Sequence, residues 1–184
     1  MLKIFTEKFA NKEADIQNWL LQKHQNFKGI VYSSIDIRNS GLKICPIDVN
    51  VFPGGWNNIC PNYCKEATKK FAEYFEKNHK HVKKILIFPE GHTKNKYYFD
   101  NLRVLQEMLI SSGFEVLISH TNEEFETEQS LETAENKDIK LHRLIKLDNK
   151  VQTKCAFIPD IILLNNDLSS GVPDILHRID QPIL

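Results

Sequence analysis

The side chains best suited to binding a ligand fall in four short runs that directly follow predicted strands. The runs span residues 36–39, 90–95, 119–122 and 165–170, and three of them are dense in hydrogen-bonding groups. In open α/β sheets, ligands bind beyond the carboxyl ends of the strands, near the switch in strand order. We therefore expect a shared polar site at one rim of a sheet, although each run by itself could be an ordinary turn.

The residue types in and near these runs suit a zwitterionic ligand. Arg38 could hold a carboxylate through two parallel hydrogen bonds, whereas an ion pair with Asp36 or Asp48 is an equally ordinary role for it. An ammonium group could bind to Asp36, Asp48 or Asp167. The neutral groups that could orient a ligand belong to Asn39, Asn50, Asn57, Asn58, Asn165 and Asn166. Asn165 and Asn166 could instead cap a following helix.

The sequence carries no motif for several other kinds of chemistry. It has neither of the glycine-rich patterns that bind dinucleotides or P-loop phosphates. No G-x-S-x-G elbow occurs and no cysteine has an obvious base beside it, so a covalent mechanism is not indicated. Cys60 and Cys64 lack a second pair of ligands for zinc, and we expect them to pack. Glu90 and His92 could move protons or bind a metal, but we assign no catalytic residue and no metal ligand.

Alternating strands and helices would position these runs. We predict a hairpin of residues 139–147 and 151–157 around Asp148 and Asn149, an irregular segment over 38–58, and a mobile acidic excursion over 123–135. The fold class is therefore α/β, with a mainly parallel, Rossmann-like sheet flanked by helices and a β-hairpin excursion. The predicted helices are 6–25, one that begins near Pro61, and 98–109; the predicted strands are 30–37, 84–88, 114–118 and 161–164.

Bulk composition narrows the class of protein. The 184 residues suit one domain, and Lys+Arg and Asp+Glu are both 24, so the formal net charge is zero. Nucleic-acid binders usually have a basic excess, so we expect no nucleic-acid partner. No apolar run approaches the ~18–20 residues that span a bilayer, and residues 1–7 lack a signal peptide, so we expect a cytoplasmic protein with reduced thiols. Residues 181–184 resemble the start of another strand, which suggests a truncated chain.

Four longer blocks, in the same order, resemble the proteobacterial-type glutamate–cysteine ligase family. They span residues 34–43, 46–58, 88–95 and 159–173 and read SIDIRNSGLK, PIDVNVFPGGWNN, FPEGHTKN and PDIILLNNDLSSGVP. The family pattern in the third block is Glu-Asn-His-Thr-Arg-Asn. Here the second and fifth positions differ, and the matching residues are Glu90, His92, Thr93 and Asn95.

The resemblance implies an N-terminal, substrate-side domain of pre-ATP-grasp type over residues 1–184. The full-length enzyme would use ATP and Mg²⁺ to join glutamate and cysteine into γ-glutamylcysteine through a γ-glutamyl phosphate, in glutathione biosynthesis. The C-terminal ATP-grasp portion is absent, so we expect this chain to bind amino-acid substrate without catalysing the reaction. The predicted substrate-binding residues are Asp36, Arg38, Asn39, Asp48, Asn50, Asn57, Asn58, Glu90, His92, Thr93, Asn95, Asn165, Asn166, Asp167 and Ser169.

Two other hypotheses remain open at this point. A non-catalytic amino-acid-binding or regulatory module could keep the same fold and site without the ATP-binding half. A domain that only offers an interaction surface would leave the runs that hold Asp36, Arg38 and Asn165 apart in space.

Overall fold

The computed structural model describes residues 2–26, 29–91, 94–120 and 126–184. The chain divides into two compact units, Met1–Val51 and Phe52–Leu184. Whether these units form the single predicted domain over residues 1–184 stays a prediction.

The first unit contains two helices and a two-stranded sheet. The single helix predicted over residues 6–25 is wrong, since the chain forms two helices. The N–H of Lys12 donates to the carbonyl of Phe9, three residues back rather than four, which ends the first helix. The elements are α1 (Leu2–Ala10), α2 (Glu13–Asn26), β1 (Ser34–Asn39) and β2 (Ile44–Asn50).

Strands β1 and β2 form an antiparallel hairpin, with Ser34 opposite Asn50 and Asn39 opposite Ile44. The predicted strand over 30–37 therefore starts too early, because only residues that face β2 have ladder partners. The irregular segment predicted over 38–58 is also wrong, since β2 lies within it. Pro46 of β2 is atypical of a strand, which is why the sequence did not indicate one here. Proline is nevertheless tolerated in an edge strand, because no strand on the outer side needs its missing N–H.

The second unit is built on a mostly parallel sheet in the order β5-β6-β4-β3-β8. The pairs β6–β4, β4–β3 and β3–β8 are parallel, whereas β5 and β7 each pair antiparallel with β6. One-turn 3₁₀ helices span Trp56–Asn58 and Asp174–Leu176. The other elements are α3 (Pro61–Asn78), β3 (Lys84–Pro89), α4 (Lys96–Ser111), β4 (Glu115–His120), β5 (Glu128–Glu132), β6 (Asp138–Leu147), β7 (Lys150–Thr153) and β8 (Ile161–Asn165).

This architecture confirms the predicted fold class, a mixed α/β protein with a mainly parallel sheet, flanking helices and a β-hairpin. The predicted hairpin around Asp148 and Asn149 is the β6–β7 pair, and Asp148 takes a positive φ of 52° at its turn. Residues 182–184 pair with β8 in parallel, as the predicted extra strand would: the N–H of Leu184 donates to the carbonyl of Ile162 over 2.8 Å.

Part of the predicted acidic excursion is instead the strand β5. Its exposed carboxylates do not prevent pairing because lysines neutralise them. Glu128 lies 2.8 Å from the amine of Lys140, and Glu132 lies 2.5 Å from the amine of Lys96. The poor hydrophobic periodicity of this segment reflects a strand that is exposed for most of its length.

Helix α3 begins with Pro61 at its first turn, as predicted, where a missing N–H costs little. Cys60, just before it, is exposed, so the prediction that it packs is wrong, whereas Cys64 is half-buried. Cys60 stands before the first turn of the helix, whereas the apolar stripe lies within the helix and includes the buried Phe71 and Phe75.

The core lies on both faces of the central strands. Ile85 and Ile87 of β3 are fully buried and alternate with Leu86 and Phe88, which point to the opposite face. The β6–β7 hairpin and the segment after it cover one face. The cluster there consists of Leu86, Phe88, Leu144, Val151, Phe157, Ile162, Leu164 and Leu176. Within the described part of the chain, no helix has the length and apolarity that a bilayer crossing requires.

Candidate functional site

A cavity of about 460 Å³ opens at the carboxyl ends of β3 and β8. These strands are parallel neighbours whose last residues, Pro89 and Asn165, pair with each other. The chain segments that leave them therefore meet at one edge of the sheet, where ligands bind in this class of fold. The cavity is lined by Phe88, Pro89, Glu90, Gly91, Asn166, Asp167, Ser169, Ser170, Gly171 and Pro173.

Four predicted substrate-binding residues line this cavity: Glu90, Asn166, Asp167 and Ser169. Two of them are carboxylates, and none of the lining residues in the described part of the chain is Lys, Arg or His. The Asp167 carboxylate accepts the N–H of Ser169 over 2.9 Å, which lowers the pKa of Asp167 below its ordinary value. Asp167 is therefore ionised at neutral pH, and a positively charged group such as an ammonium suits this end of the cavity.

Asn166 connects the two segments that border the cavity. Its side-chain N–H donates to the carbonyl of Pro89 at the end of β3 over 3.1 Å. Its side-chain oxygen accepts the N–H of Leu168 over 2.7 Å, a local turn rather than the helix cap considered as an alternative, since the next 3₁₀ helix starts only at Asp174. The amide thus fixes the shape of the 166–169 loop relative to β3.

Tyr98 of α4 also joins the two strand ends, and the sequence did not identify it as a site residue. Its hydroxyl donates to the carbonyl of Asn165 over 2.8 Å and accepts the N–H of Glu90 over 3.1 Å. The only sequence signal was its position on the inward face of a predicted helix, since a tyrosine that packs inward needs a partner for its hydroxyl.

Asn165 is 2% exposed, behind the cavity rather than in its lining. Its side-chain N–H donates to the carbonyl of Pro53 over 3.1 Å, and its side-chain oxygen accepts the N–H of Asn101 over 3.2 Å. The oxygen of Asn101 in turn accepts the backbone N–H of Trp56 over 2.9 Å. The two asparagines therefore hold the segment 53–56 against the sheet, and a substrate contact by Asn165 stays a prediction.

The remaining predicted residues of the second unit lie outside the cavity lining or outside the described residues. Asn57 and Asn58 belong to the 3₁₀ helix that Asn101 holds in place. Asn95 caps α4, because its side-chain oxygen accepts the N–H of Tyr97 over 3.0 Å. His92 and Thr93 lie outside the described residues.

In the first unit, four predicted residues share one face of the β1–β2 hairpin. Asp36 lies opposite Asp48 in the register, Asn50 lies opposite Ser34, and Arg38 follows Asp36 by two positions. The register shifts between Asp36 and Ile37, and the extra residue, Ile47, lies on β2, so β1 keeps its alternation and these groups point the same way. The face carries two carboxylates and one guanidinium, a charge pattern that suits a zwitterion.

Asn39 points to the opposite face of the hairpin, and its side-chain oxygen accepts the N–H of Gly41 over 2.8 Å. The prediction that residues 36–39 form a loop after a strand of the main sheet is wrong. They lie within β1, whose only strand partner in the described residues is β2. The predicted strand ended at residue 37, whereas β1 ends at Asn39. Residues 36–39 were therefore assigned to a loop although they belong to the strand.

The described residues hold no ready-made ligand set for Mg²⁺, one of the cofactors that the resemblance implies. Mg²⁺ takes several oxygen ligands, mostly from carboxylates, phosphates and water. Among the described residues there is no group of three or more His, Cys, Asp or Glu that could hold a metal ion. We therefore assign no Mg²⁺ ligands among the described residues.

Comparison with known proteins gives one family and one similar solved structure. The sequence model of the glutamate–cysteine ligase family matches residues 6–184. A crystal structure of a "putative gamma-glutamylcysteine synthetase" from Methylobacillus flagellatus KT is similar with a TM-score of 0.90 and 32% identity, over 99% of this chain and 43% of that chain. This chain thus spans less than half of that protein. No curated protein gave a significant match.

Proposed function

Because the chain belongs to the glutamate–cysteine ligase family, we propose that it is the substrate-side domain of an enzyme that joins glutamate and cysteine into γ-glutamylcysteine. This ATP-dependent reaction is the first step of glutathione synthesis. The chain covers 43% of the similar solved chain, which supports the proposal that another portion of the enzyme binds ATP and Mg²⁺. The cytoplasmic location stays a prediction.

The observation that carries the proposal is the acidic cavity at the ends of β3 and β8. An amino acid offers an ammonium group with three N–H donors, and the Glu90 and Asp167 carboxylates can accept them. Asn166 and Ser169 supply neutral polar groups beside them. Since both proposed substrates carry an ammonium group, we assign this cavity to the ammonium end of one of them.

The polar face of the β1–β2 hairpin supports the same class of ligand independently. Arg38 would bind a substrate carboxylate, and the facing carboxylates of Asp36 and Asp48 would accept an ammonium group. Two carboxylates directly opposite each other in a hairpin repel, so a bound cation would relieve a cost that the free protein bears.

The described residues would bind and orient substrates rather than form a bond with them. ATP, when bound, supplies the phosphoryl group that activates the γ-carboxylate of glutamate. The attacking group is the amine of cysteine, so the reaction needs no nucleophile from the protein. Positioning alone accounts for a large share of such rate enhancements, because it converts an encounter of two molecules into a reaction within one complex.

The alternative is a non-catalytic amino-acid-binding or regulatory module on the same fold. It would use the same cavity and the same hairpin face, and it would differ only in turnover. The full-length gene product, incubated with glutamate, cysteine, ATP and Mg²⁺, should form γ-glutamylcysteine and ADP, measured by liquid chromatography. Binding of the amino acids without product would favour the module, and neither binding nor product would contradict both proposals.

The assignment of the cavity is tested by Asp167→Asn, which removes one acceptor charge and keeps the shape. The variant should raise the KM for one amino acid and leave the KM for the other nearly unchanged. Asp138→Asn is the matched control, because Asp138 is an exposed aspartate at the start of β6, away from the cavity. If Asp167→Asn and Asp138→Asn had the same KM values for both amino acids, Asp167 would not belong to the substrate site.

The hairpin is tested by Arg38→Ala. The loss of a guanidinium that binds a carboxylate should cost about 1.5–3 kcal/mol of binding free energy, the range for hydrogen bonds to charged groups. Calorimetric titration with glutamate, cysteine and the dipeptide measures this difference. Lys43→Ala removes another exposed positive charge from the same unit and should leave the affinities unchanged.

A further inference from the structure

Away from the cavity, four side chains form a compact cluster of nucleophilic and titratable groups around Cys155. This cysteine lies in the turn after β7, and its side chain is an exposed free thiol. Its Sγ lies 2.9 Å from Oγ1 of Thr153 and 3.8 Å from Nδ1 of His142. The same Nδ1 lies 3.6 Å from a carboxylate oxygen of Glu128. Cys155 is exposed, whereas His142 beside it is only 7% exposed.

The turn after β7 holds Cys155 over β6. The N–H of Thr153 donates to the carbonyl of Phe157 over 3.0 Å, and the N–H of Ala156 donates to the carbonyl of Thr153 over 2.9 Å. Ala156 takes a positive φ of 64°, which closes the turn. The N–H of Lys154 donates to the carbonyl of Arg143, next to His142 on β6, over 2.9 Å. The spacing between the sulfur and the imidazole is therefore set by backbone hydrogen bonds.

Thr153 is placed to donate its hydroxyl hydrogen to the sulfur. Its Oγ1 already accepts the N–H of Phe157 over 3.2 Å. The O–H of Thr153, which is fully buried, can then point to Sγ of Cys155 at 2.9 Å. A hydrogen-bond donor at this position stabilises the thiolate more than the thiol, because the charged sulfur is the stronger acceptor.

His142 is placed to accept the thiol proton. Burial lowers the pKa of His142, so its imidazole is neutral at pH 7 and can act as a base. Glu128 of β5 faces the same nitrogen, and its hydrogen bond to Lys140 lowers the pKa of Glu128, so its carboxylate is charged. That carboxylate stabilises the imidazolium formed when His142 takes up the proton.

We propose that Cys155 is a site of thiol–disulfide exchange with low-mass disulfides, with His142 as the base. The proton of Sγ moves to Nδ1 of His142, and the thiolate attacks one sulfur of the disulfide. The original S–S bond breaks as a mixed disulfide to Cys155 forms. The released thiolate takes the proton back from His142. One disulfide is consumed and one is formed, so the step needs no further oxidant, and it is independent of the proposed ligase activity.

The exchange is tested on the full-length protein with 5,5′-dithiobis(2-nitrobenzoate) at pH 7, where absorbance reports the released thiolate. Peptide mass mapping at partial reaction should find the label on Cys155 before Cys60, the other exposed cysteine. Cys60 is a demanding comparison, because it is likewise exposed and stands directly before the first turn of α3. Incubation with cystine should then add one cysteinyl group to Cys155.

The role of His142 is tested by His142→Asn, which keeps a polar group near Nδ1 but has no basic nitrogen. Labelling of Cys155 should slow by at least about tenfold. This is a conservative expectation, because a general base usually contributes about a hundredfold or more. Lys154→Gln is the control, since it changes an exposed neighbour and should keep the wild-type rate. An unchanged rate in a folded His142→Asn variant would overturn the proposal. If that variant does not fold, wild-type labelling of Cys60 before Cys155 would overturn it.

Discussion

Asn101 of α4 donates its side-chain N–H to the side-chain oxygen of Asn165, at the end of β8, over 3.2 Å, and both residues are almost fully buried. Through this amide pair, a helix and a strand that are 64 residues apart in the chain hold the segment 53–56 in place. The pair therefore contributes to stability and also fixes the end of the strand that leads into the cavity.

Asn101→Ala should lower the free energy of unfolding by about 1–3 kcal/mol, because the buried amide of Asn165 and the partly buried N–H of Trp56 lose this partner. Urea denaturation followed by fluorescence measures the change. The control is Asn78→Ala, which removes an exposed side-chain bond to the carbonyl of Tyr74 and should change stability by about 0.5 kcal/mol or less. Equal midpoints for the two variants would contradict a structural role for the pair.

Tyr98→Phe should loosen the connection between the two strand ends that border the cavity. Without the hydroxyl, the N–H of Glu90 and the carbonyl of Asn165 lose a hydrogen bond that contributes about 0.5–1.5 kcal/mol. Hydrogen–deuterium exchange should become faster at the Glu90 amide. Tyr97→Phe changes the adjacent tyrosine, which is 69% exposed, and should leave this exchange rate as it is in the wild type.

Arg103→Ala should be strongly destabilising. The Arg103 guanidinium is largely buried and lies 2.7 Å from Glu107, 2.8 Å from Glu135 and 3.8 Å from the almost fully buried Asp100. Among the described residues, Arg103 is the only cation that contacts Asp100. Its removal would leave the Asp100 carboxylate buried without a partner charge, at a cost of about 3–5 kcal/mol.

The free energy of unfolding from urea titration measures this cost. Lys70→Ala breaks the exposed pair with Glu73 and should have no measurable effect. The double variant Arg103→Met/Asp100→Leu should recover much of the lost stability, since it removes the buried charge together with its partner. No difference between Arg103→Ala and Lys70→Ala would exclude the network as a source of stability.

Stability should fall as the pH is lowered through the ordinary histidine pKa of 6.5, in part because of His142. Burial lowers the pKa of this group in the folded state, so the unfolded chain binds the proton more tightly. Its contribution is therefore present above pH 6.5 and is lost on acidification. Unfolding free energies at a series of pH values should show a smaller slope for His142→Gln.

The main sheet was predictable from sequence because its central strands are buried on both faces. The apolar runs that form β3 and β8 have little ambiguity, and Pro89 marks the end of the first. The hairpin strand β2 was missed because Pro46, Asp48 and Asn50 are typical of turns. In addition, nearly every residue of β2 is exposed, so its sequence does not alternate between apolar and polar residues as a half-buried strand would.

The cavity was predicted in part. Glu90, Asn166, Asp167 and Ser169 could be found because residues that follow parallel strands meet at one edge. Tyr98 could not, because its role depends on a hydrogen bond to a carbonyl 67 residues away, which no local pattern encodes. The placement of residues 36–39 failed for a related reason: a shift of a few residues in one strand boundary changed which sheet they were assigned to.

The acidic strand β5 has a consequence for self-association. Among the described residues it forms one edge of the main sheet, where backbone N–H and carbonyl groups could pair with a second molecule. That edge carries charged side chains of both signs, Glu128 with Lys140 and Glu132 with Lys96, and a second strand could pair there only by covering these charges. The charges that made this segment difficult to assign as a strand thus protect the protein against edge-to-edge aggregation.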